Sequence, residues 1–507
     1  MPKSANGHPQ WALIAALLAA TFFRARPLLE NRFHPDEALY AWFARLIGAG
    51  HDVLLAGPLV DKPPLAFYLG GLGMALIGGH EFAARLPAFF ASLISVALIF
   101  QLGKKLYDAR TGLLAAGLLA LSPFAILFAI TVFIDPLVTA FSLWGLWMTR
   151  VKSPRWAAVA FSLAFAAKQS ALFFLPLALA FVFLTLPARA GLNDALKTVW
   201  RHARFWLAGL ILTTLLLLAW DAARQPLISF WDQGYSDNAP NRLIRANEVL
   251  PRANAWLELL SYATASALLN ALFVIGLPVL LIRQAHRPAR AALVDFLLAS
   301  YLLVYLAAYW LLAFNVWDRY LVQIVPLILL LLARVLWRIA DSLWRIANSL
   351  WPQLSRGNYP LSAIGYLLPL VFCFILLPSS LTAAQSGYPI GGDHGAYDGI
   401  DDAARFLNAL PYGTVLYDHW LSWLWNFYLF DGPVYVSWFP TPDALTTDLQ
   451  AFGRASPRYI AIPSWEADIE IRAAAARAGF HFVAAHTAFR RDGSVSLRVY
   501  QIVPDAP

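Results

Sequence analysis

Residues 83–102 read AARLPAFFASLISVALIFQL, and this stretch decides the class of fold. The run is about 20 residues long, which is the length that an α-helix needs to cross roughly 30 Å of hydrocarbon. Its one charged residue is Arg85. The stretch therefore predicts a transmembrane helix, and similar apolar runs recur along the chain up to about residue 380.

The composition of the whole chain also indicates a membrane protein. Of its 507 residues, 60% are hydrophobic and 13% are charged, and 20 are Trp and 34 are Phe. These proportions exclude a set of soluble domains and suit lipid-facing helices with aromatic belts at the membrane interfaces. We predict a polytopic α-helical membrane protein with about eleven transmembrane helices. The single cysteine, Cys373, cannot form a disulfide within the chain.

The charges between the apolar runs predict the orientation in the membrane. One set of connecting segments is basic with few acids to offset it, which is typical of cytoplasmic loops. This set includes Lys104, Lys105, Arg110, Arg150, Lys152 and Arg155. The opposite set is mixed in sign and includes loops 30–82 and 222–257, which we place on the outer face. The net charge of +8 is therefore interpreted as loop charge and not as a sign of nucleic-acid binding.

The last part of the chain has the patterning of a soluble domain. Runs typical of strands occur at Val415–Tyr417, Val434–Trp438, Tyr459–Ile462 and Ser494–Ile502, and helical patterns at Asp401–Leu410, Ala444–Phe452 and Glu466–Ala478. We predict a membrane domain over residues 1–380 and an α/β domain over residues 381–507. An odd number of crossings from a cytoplasmic N-terminus makes this C-terminal domain extracytoplasmic.

Asp36 and Glu37 stand side by side in the first outer loop. Two adjacent carboxylates near the membrane surface are suited to taking a proton from a hydroxyl or to binding a divalent cation. Acidic residues in the first turn of a helix are also favoured by the helix dipole, so a structural charge pair is the alternative.

The segment Asp61-Lys62-Pro63-Pro64 follows in the same loop. Its two prolines favour an extended backbone that holds Lys62 at the membrane interface beside Asp61. A fixed ammonium group is a good counter-charge for a phosphate. The alternative is a surface ion pair next to a helix.

Four charges lie within or next to apolar runs, namely Arg24, Arg85, Asp135 and Lys168. An arginine at membrane depth costs roughly 2.5–3.5 kcal/mol on insertion scales, so Arg24 and Arg85 are expected to face the helix bundle and meet an anion. Either side chain could instead reach the lipid headgroups. Asp135 and Lys168 have opposite signs, and a purely structural ion pair is the simplest interpretation of them.

Further candidates lie at the outer ends of later apolar runs. Arg319 offers a planar guanidinium for phosphate, and Tyr320 beside it is an amphipathic interfacial anchor. Arg245 belongs to a group of arginines in loop 222–257 that could close over an anionic ligand or could be solvated charges. His419 follows the first predicted strand of the C-terminal domain, where α/β units place ligands. It could bind a metal ion or be structural.

Several motifs are absent from the sequence. There is no P-loop, no G-x-G-x-x-G, no H-E-x-x-H, no C-x-x-C and no G-x-S-x-G. Nucleotide-powered transport, redox chemistry and hydrolysis by a standard triad therefore lose support.

Taken in order, the motifs resemble the glycosyltransferases of the GT-C fold that use lipid-linked sugars. The set consists of Asp36-Glu37, Lys62-Pro63-Pro64-Leu65, the segment 81–87, Asp135-Pro136, and Arg319-Tyr320 followed by Pro326. It is similar to family 39, which includes the protein O-mannosyltransferases, and to bacterial relatives such as the aminoarabinose transferase of lipid A. The resemblance covers residues 24–326 and, more loosely, residues 417–420.

The resemblance implies a polyprenyl-phosphate-linked sugar donor that is used on the outer face. It implies that Asp36 acts as the catalytic base, with Glu37 beside it. It also implies that Asp61 and His419 are candidate ligands of a divalent metal ion, Mg²⁺, Mn²⁺ or Zn²⁺. The residues that we assign to the donor phosphate and sugar are Lys62, Arg85, Arg24, Asp135, Lys168, Arg245, Arg319 and Tyr320.

Such an enzyme would invert the anomeric centre, and its acceptor would be a lipid, a glycan or a protein. Its other partners are membrane lipids, with no role for nucleic acid. The main rival is a secondary transporter or lipid flippase that uses the same intramembrane charges. A non-catalytic scaffold that presents the C-terminal domain is a third interpretation. The transporter is disfavoured because the polar residues cluster at one face and no internal repeat is visible.

Overall fold

The chain forms two compact units in the computed structural model, which describes residues 9–186, 191–239, 241–285, 289–350 and 361–506. The first unit comprises residues 1–28, 50–69 and 85–391. The second comprises residues 29–49, 70–84 and 392–507. The second unit therefore combines two pieces of the first outer loop with the C-terminal domain that the sequence places at residues 381–507.

Before residue 391, the described residues form helices joined by loops and contain no strand. Its α-helices are α1 Pro9–Glu30, α2 Pro35–Gly48, α3 Leu65–Ile77, α4 Glu81–Leu106, α5 Ala109–Leu121, α6 Pro123–Ala129, α7 Asp135–Arg150, α8 Pro154–Ala167, α9 Leu175–Phe183, α10 Leu192–Arg224, α11 Phe230–Asn238, α12 Val249–Ser261, α13 Ala267–Ala285, α14 Arg290–Leu311, α15 Val325–Leu350 and α16 Leu361–Ala384. Short 3-10 helices lie at Gln169–Phe174, Ala246–Glu248 and Asp318–Tyr320.

Within the described residues, five helices are long and apolar enough to cross a membrane: α1, α4, α10, α13 and α14. The pair α5 and α6, which is bent by 58°, adds a sixth if it is one span. Large apolar side chains on α1 and α10 are exposed, among them Phe22 and Leu216, as expected of helices that face lipid. The bundle is thus confirmed, while the number of about eleven crossings stays a prediction.

Breaks in the apolar runs explain why fewer long helices occur than runs. Ser122 and Pro123 end α5 and begin α6, because proline has no N–H for the preceding turn. Lys168 ends α8 in an extended conformation, and a 3-10 helix follows it. Each break places a buried polar side chain, Ser122 or Lys168, inside the helical unit.

The second unit is an α/β structure around one mixed sheet. Its helices, besides α2, are α17 Ile400–Asn408, α18 Ser422–Tyr428, α19 Pro442–Phe452 and α20 Ile469–Arg477, and its strands are β1 Val415–Asp418, β2 Tyr435–Trp438, β3 Arg458–Pro463, β4 Phe480–Phe489 and β5 Val495–Pro504. The strand order is β2-β1-β3-β5-β4. β1 runs parallel to β2 and β3, whereas β5 runs antiparallel to β3 and β4.

The sheet domain confirms the α/β prediction and adds two elements to it. The four strands and three helices predicted from the sequence are all present, with shifts of a few residues at their ends. The helix α18 and the strand β4 were not predicted. Three of the ten residues of β4 are alanines, which have low strand propensity.

Helix α2 packs on α18 within this second unit. Phe33 lies edge to face against Phe427, with 4.9 Å between ring centroids. Arg45 donates to the Phe427 carbonyl at 2.6 Å and pairs with Asp431 at 2.7 Å. Helix α2 and the residues just before it are therefore fixed to the C-terminal domain by apolar and polar contacts together.

Candidate active site

A buried ion pair forms the centre of a polar cluster in the first unit. The Lys168 Nζ atom lies 2.7 Å from Oδ1 of Asp135, and both side chains are almost fully buried. Asp135 begins α7 and Lys168 follows the last residue of α8. Burying two charges is tolerated only when they are paired and further hydrogen-bonded. The predicted pairing of these two residues is therefore present.

Gln323 connects this ion pair to a third segment. Its amide nitrogen donates to Asp135 Oδ1 at 3.0 Å and to Ser170 Oγ at 2.8 Å. Gln323 has no exposed surface. It therefore donates to the same carboxylate oxygen as Lys168, and the two donors together fix Oδ1 of Asp135.

Lys62 reaches the same cluster from the segment between α2 and α3. It is 6% exposed and forms an ion pair with the carboxylate of Asp61. Lys62 is close enough to Lys168 for the two positive charges to repel each other. The two prolines that follow it lead directly into α3, as expected of residues that set the path of the backbone.

Arg319 and Tyr320 complete the cluster from the turn between α14 and α15. The guanidinium of Arg319 lies over the Trp317 ring, 4.1 Å from its centroid, and repels Lys168 electrostatically. Lys168 lies over the Tyr320 ring at 5.3 Å. Burial raises the pKa of the Tyr320 hydroxyl, so this group remains a neutral hydrogen-bond donor at pH 7.

Four separate segments thus bring charged side chains together. Lys62, Lys168 and Arg319 supply the positive charges, and Asp61 and Asp135 both act electrostatically on Tyr320. Lys62 and Arg319 each repel Lys168, and such a group of cations is stable when carboxylates or a bound anion compensate it. Such an arrangement is suited to binding a phosphate next to neutral hydrogen-bond donors.

Asp36 and Glu37 lie in the second unit and have different surroundings. Glu37 is fully buried, and its carboxylate accepts the His34 backbone N–H at 3.3 Å as part of a capping box at the start of α2. Asp36 is half-buried and acts electrostatically on Tyr397 of the C-terminal domain. Its carboxylate is thus the more accessible of the two, while the contacts of Glu37 indicate a structural role.

Arg24 is fully buried and donates to backbone carbonyls. Its Nη1 atom lies 2.8 Å from the Ala20 oxygen and 2.9 Å from the Ala120 oxygen, and its Nε atom lies 3.1 Å from Ser92 Oγ. The Ala120 carbonyl is at the end of α5, just before the bend at Pro123. Arg24 therefore joins α1, α4 and α5, and these contacts favour a structural role over the predicted contact with a donor.

The other two predicted arginines have contrasting positions. Arg85 is 1% exposed on α4, as expected of an arginine that faces the interior of the bundle.

Arg245 is exposed before α12, and its backbone N–H donates to Glu248 at 3.1 Å. In the same loop, Arg242 pairs with Glu248 at 2.8 Å and Arg252 donates to the Tyr309 and Phe314 carbonyls. Loop 222–257 therefore uses several of its cations for its own contacts.

Each of the two predicted metal ligands has another contact. The Asp61 carboxylate is engaged by Lys62, and Nδ1 of His419 lies 2.8 Å from the Phe439 carbonyl oxygen. Across the described parts of the chain, no group of three or more His, Cys, Asp or Glu side chains could hold a metal ion. His419 does follow β1 as expected, and it stacks on the Phe439 ring.

The sequence interpretation missed Gln323, Ser170 and Gly234. Gln323 is a lone amide in the apolar run that leads into α15, and that isolation is the signal by which it could have been found. Gly234 lies on α11, where the helix approaches the backbone of Asp61. No local pattern identifies Gly234, because its role depends on a contact across more than 170 residues of sequence.

The fold is similar to that of several solved structures. The chain is similar to ArnT from Cupriavidus metallidurans in the apo state, with a TM-score of 0.67, 15% sequence identity and 98% of both chains covered. The same protein bound to undecaprenyl phosphate gives a TM-score of 0.54 at 15% identity, with 98% of both chains covered. The archaeal oligosaccharyltransferase AglB from Archaeoglobus fulgidus, in complex with an inhibitory peptide and a dolichol-phosphate, gives 0.52 at 13% identity over 96% of this chain and 74% of that one.

Sequence similarity is confined to a part of the chain. Residues 61–220 match the family model described as dolichyl-phosphate-mannose-protein mannosyltransferase. The chain is 29% identical over 132 residues to the undecaprenyl phosphate-alpha-4-amino-4-deoxy-L-arabinose arabinosyl transferase of Edwardsiella ictaluri, a match that covers 24% of this chain and 22% of that protein. The chain thus spans about a fifth of the length of this curated relative. These findings confirm the resemblance to GT-C glycosyltransferases of the protein mannosyltransferase family.

Proposed function

We propose that the chain is an inverting glycosyltransferase that moves a sugar from a polyprenyl-phosphate donor to an acceptor hydroxyl on the outer face of the membrane. The observation that carries the proposal is the convergence of Lys62, Lys168, Arg319 and Tyr320 from three segments of the helical unit. The similarity to transferases named for an undecaprenyl phosphate donor supports it.

The phosphate is proposed to bind between Lys62, Arg319 and Tyr320. When the bond between the sugar and the phosphate breaks, negative charge grows on the phosphate oxygens. Cations and hydroxyl donors fixed at those oxygens stabilise this charge more in the transition state than in the ground state, and each is typically worth about 10²–10³ in rate. Lys168 and Gln323 hold the Asp135 carboxylate in place. Its proposed role is to orient these cations or to contact the sugar. Arg85 and Arg245 are secondary candidates for the donor.

Asp36 is proposed to act as the base. Its half-buried carboxylate can accept the proton that the acceptor hydroxyl loses as it attacks the anomeric carbon. Attack from the face opposite to the phosphate inverts that carbon. The prenyl chain would lie along the apolar helices, so binding energy from the lipid would position the phosphate.

The remaining features of the proposal concern partners and topology. The chain is proposed to be a multi-pass protein of the cell membrane, with a cytoplasmic N-terminus and an extracytoplasmic C-terminal domain. The acceptor is a lipid, a glycan or a protein. A divalent metal ion stays a prediction, because Asp61 and His419 both have other contacts. A transporter or flippase finds no support in the similarities to transferases.

Mass spectrometry of lipids that copurify with the full chain tests the donor class. We expect a prenyl phosphate or its glycosylated form in the wild-type protein. Lys62→Met and Arg319→Gln should lose this lipid, whereas Arg155→Gln, an exposed residue on α8, should retain it. Equal lipid content in all four proteins would remove Lys62 and Arg319 from the donor site.

A transfer assay tests the base. Asp36→Asn should bind the copurifying lipid as the wild type does but should not release its sugar to an acceptor. Glu37→Gln is the matched neighbour, and it should lower the thermal stability without abolishing transfer. Transfer by Asp36→Asn at the wild-type rate would remove Asp36 as the base.

A further inference from the structure

Helix α7 carries a second group of charges at the end that is distant from the candidate active site. Asp135 is its first residue and Arg150 is its last. At about 1.5 Å per residue, the two positions lie about 22 Å apart along the axis. A site near Arg150 is therefore separate from the cluster around Asp135 and Lys168.

Arg150 lines an open cavity of about 970 Å³ together with four other cations. These are Lys105 at the end of α4, Lys152 after α7, Arg290 at the start of α14 and Arg334 on α15. In the described part of the chain, Arg334 alone among these five has a carboxylate partner, Asp295, at 3.4 Å. Among the described residues, Lys105, Arg150, Lys152 and Arg290 form no ion pair.

Arg150 is the clearest sign that the cavity takes a ligand. It is 7% exposed, and its Nη1 atom has one long contact, 3.5 Å, to the Phe181 carbonyl. Its buried Nε atom has no hydrogen-bond partner within the described ranges. Arg290 is close enough to repel it. A buried guanidinium beside a second cation is costly unless an anion compensates it.

The position of Arg290 also indicates that the cavity binds an anion. It is the first residue of α14, where the helix dipole disfavours a positive side chain and favours an anion. The N-cap of this helix is Ala289, which has no side-chain acceptor for the N–H groups of the first turn. A basic residue at a helix C-terminus is favourable by itself, which accounts for Lys105 and Lys152 but not for Arg290.

The lining of the cavity identifies the class of anion. Leu106, Val151, Leu186 and Val294 lie among the cations, so the site is amphipathic. It is built from the ends of apolar helices, and basic pockets in such positions bind lipid headgroups. We propose that this cavity binds the phosphate-bearing headgroup of an anionic membrane lipid, with the phosphate between Arg150 and Arg290.

Thermal unfolding and native mass spectrometry of the detergent-purified full chain test the proposal. Phosphatidylglycerol should raise the unfolding temperature and remain bound in the spectrometer, and phosphatidylcholine at the same concentration should do neither. Inorganic phosphate is the third arm. If inorganic phosphate raises the unfolding temperature as much as phosphatidylglycerol does at the same concentration, the ligand is a free anion and the lipid assignment is overturned.

Charge-neutral variants locate the site. Arg290→Gln, at an exposed position, should weaken phosphatidylglycerol binding about fivefold, since each basic residue near the surface contributes about that factor. Arg150→Gln should do the same if it folds, and Arg290→Gln carries the test if it does not. Arg155→Gln, outside the cavity, should leave binding unchanged.

Equal weakening by Arg155→Gln and Arg290→Gln would show a general surface attraction and overturn the proposal. Lys62→Met should leave phosphatidylglycerol binding unchanged. The result for this cavity is therefore independent of whether the proposed transferase activity is found.

Discussion

Gly234 packs directly against Asp61: a Cβ atom added at residue 234 would lie 2.5 Å from the carbonyl oxygen of Asp61. The neighbouring atom is backbone, so it cannot move aside as a flexible side chain would. Any side chain at residue 234 must therefore displace either α11 or the loop that holds Lys62.

Gly234→Ala is expected to lower transfer between about 10- and 100-fold, because a misplacement of about 1 Å at a reacting centre can cost 10²-fold. Alanine normally stabilises a helix relative to glycine by roughly 0.5–1 kcal/mol, so a loss cannot come from the helix itself. The assay is transfer from the copurified lipid. Gly191→Ala is the matched control, because no atom lies within 4 Å of its added Cβ. Unchanged transfer by Gly234→Ala would contradict the packing argument.

The ion pair between Asp135 and Lys168 allows a structural role to be separated from a functional one. Asp135→Asn or Lys168→Met alone leaves one buried charge without its partner, which typically costs about 3–5 kcal/mol of stability. The double variant removes both charges and should recover much of that loss in thermal unfolding. We expect it to recover stability but not transfer. Recovery of both would make the pair purely structural.

Gln323→Met tests a positioning role. Methionine is similar in size but cannot donate to Asp135 or Ser170, so the carboxylate loses one of its two fixed contacts. Loss of a hydrogen bond to a charged group is worth about 1.5–3 kcal/mol. We expect a lower kcat with the affinity for the donor lipid reduced less. Gln101→Met, on a half-buried position of α4, is the control and should change neither quantity.

Asp393 gives the C-terminal domain a pH-dependent stability. Burial raises the pKa of this carboxyl to about 6, although it accepts the backbone N–H groups of Gly395, Ala396 and Tyr397. The unfolded chain has a pKa near 3.9. Because the folded pKa is the higher one, the contribution to stability is complete below about pH 4 and is lost as the pH rises through about 6.

Asp393→Asn should remove this dependence, since the amide does not ionise while its one oxygen can still accept the N–H groups of Ala396 and Tyr397. The difference in unfolding free energy between the variant and the wild type should therefore change by on the order of 2–3 kcal/mol between pH 4 and 7. Thermal unfolding of the full chain across this range measures it. Parallel curves for the two proteins would rule out Asp393 as the titrating group.

Much of the fold could be predicted because its signals are local. Apolar runs and charged loops indicate a helical membrane unit, and the change of period after residue 400 indicates the sheet domain. The bends were not predicted from the same runs. Ser122-Pro123 and Lys168 interrupt segments whose average hydropathy is that of one span, and a window average does not resolve a single break.

Most of the charged and aromatic residues of the candidate site were predicted from the sequence, but their mutual contacts were not. Lys62, Asp135, Lys168, Arg319 and Tyr320 stand out because charges and aromatic rings near apolar runs are conspicuous. Their convergence is a property of the fold and not of any one segment. Arg24 has the same appearance in the sequence, yet its guanidinium binds carbonyl groups at the end of α5. The sequence alone does not show which group a buried cation binds, nor which neighbouring residue holds that cation in place.

The contacts of Arg24 also impose an order on the synthesis of the protein. Arg24 and the carbonyl of Ala120 are separated by 96 positions in the chain. At about 5–20 residues per second, the ribosome adds the second roughly 5–20 s after the first. We expect the first helix to remain beside the translocation channel during this interval, because the acceptors of Arg24 on α5 have not yet been made. Nascent chains arrested before residue 119 should therefore crosslink to the channel through α1, and chains arrested well after residue 130 should not.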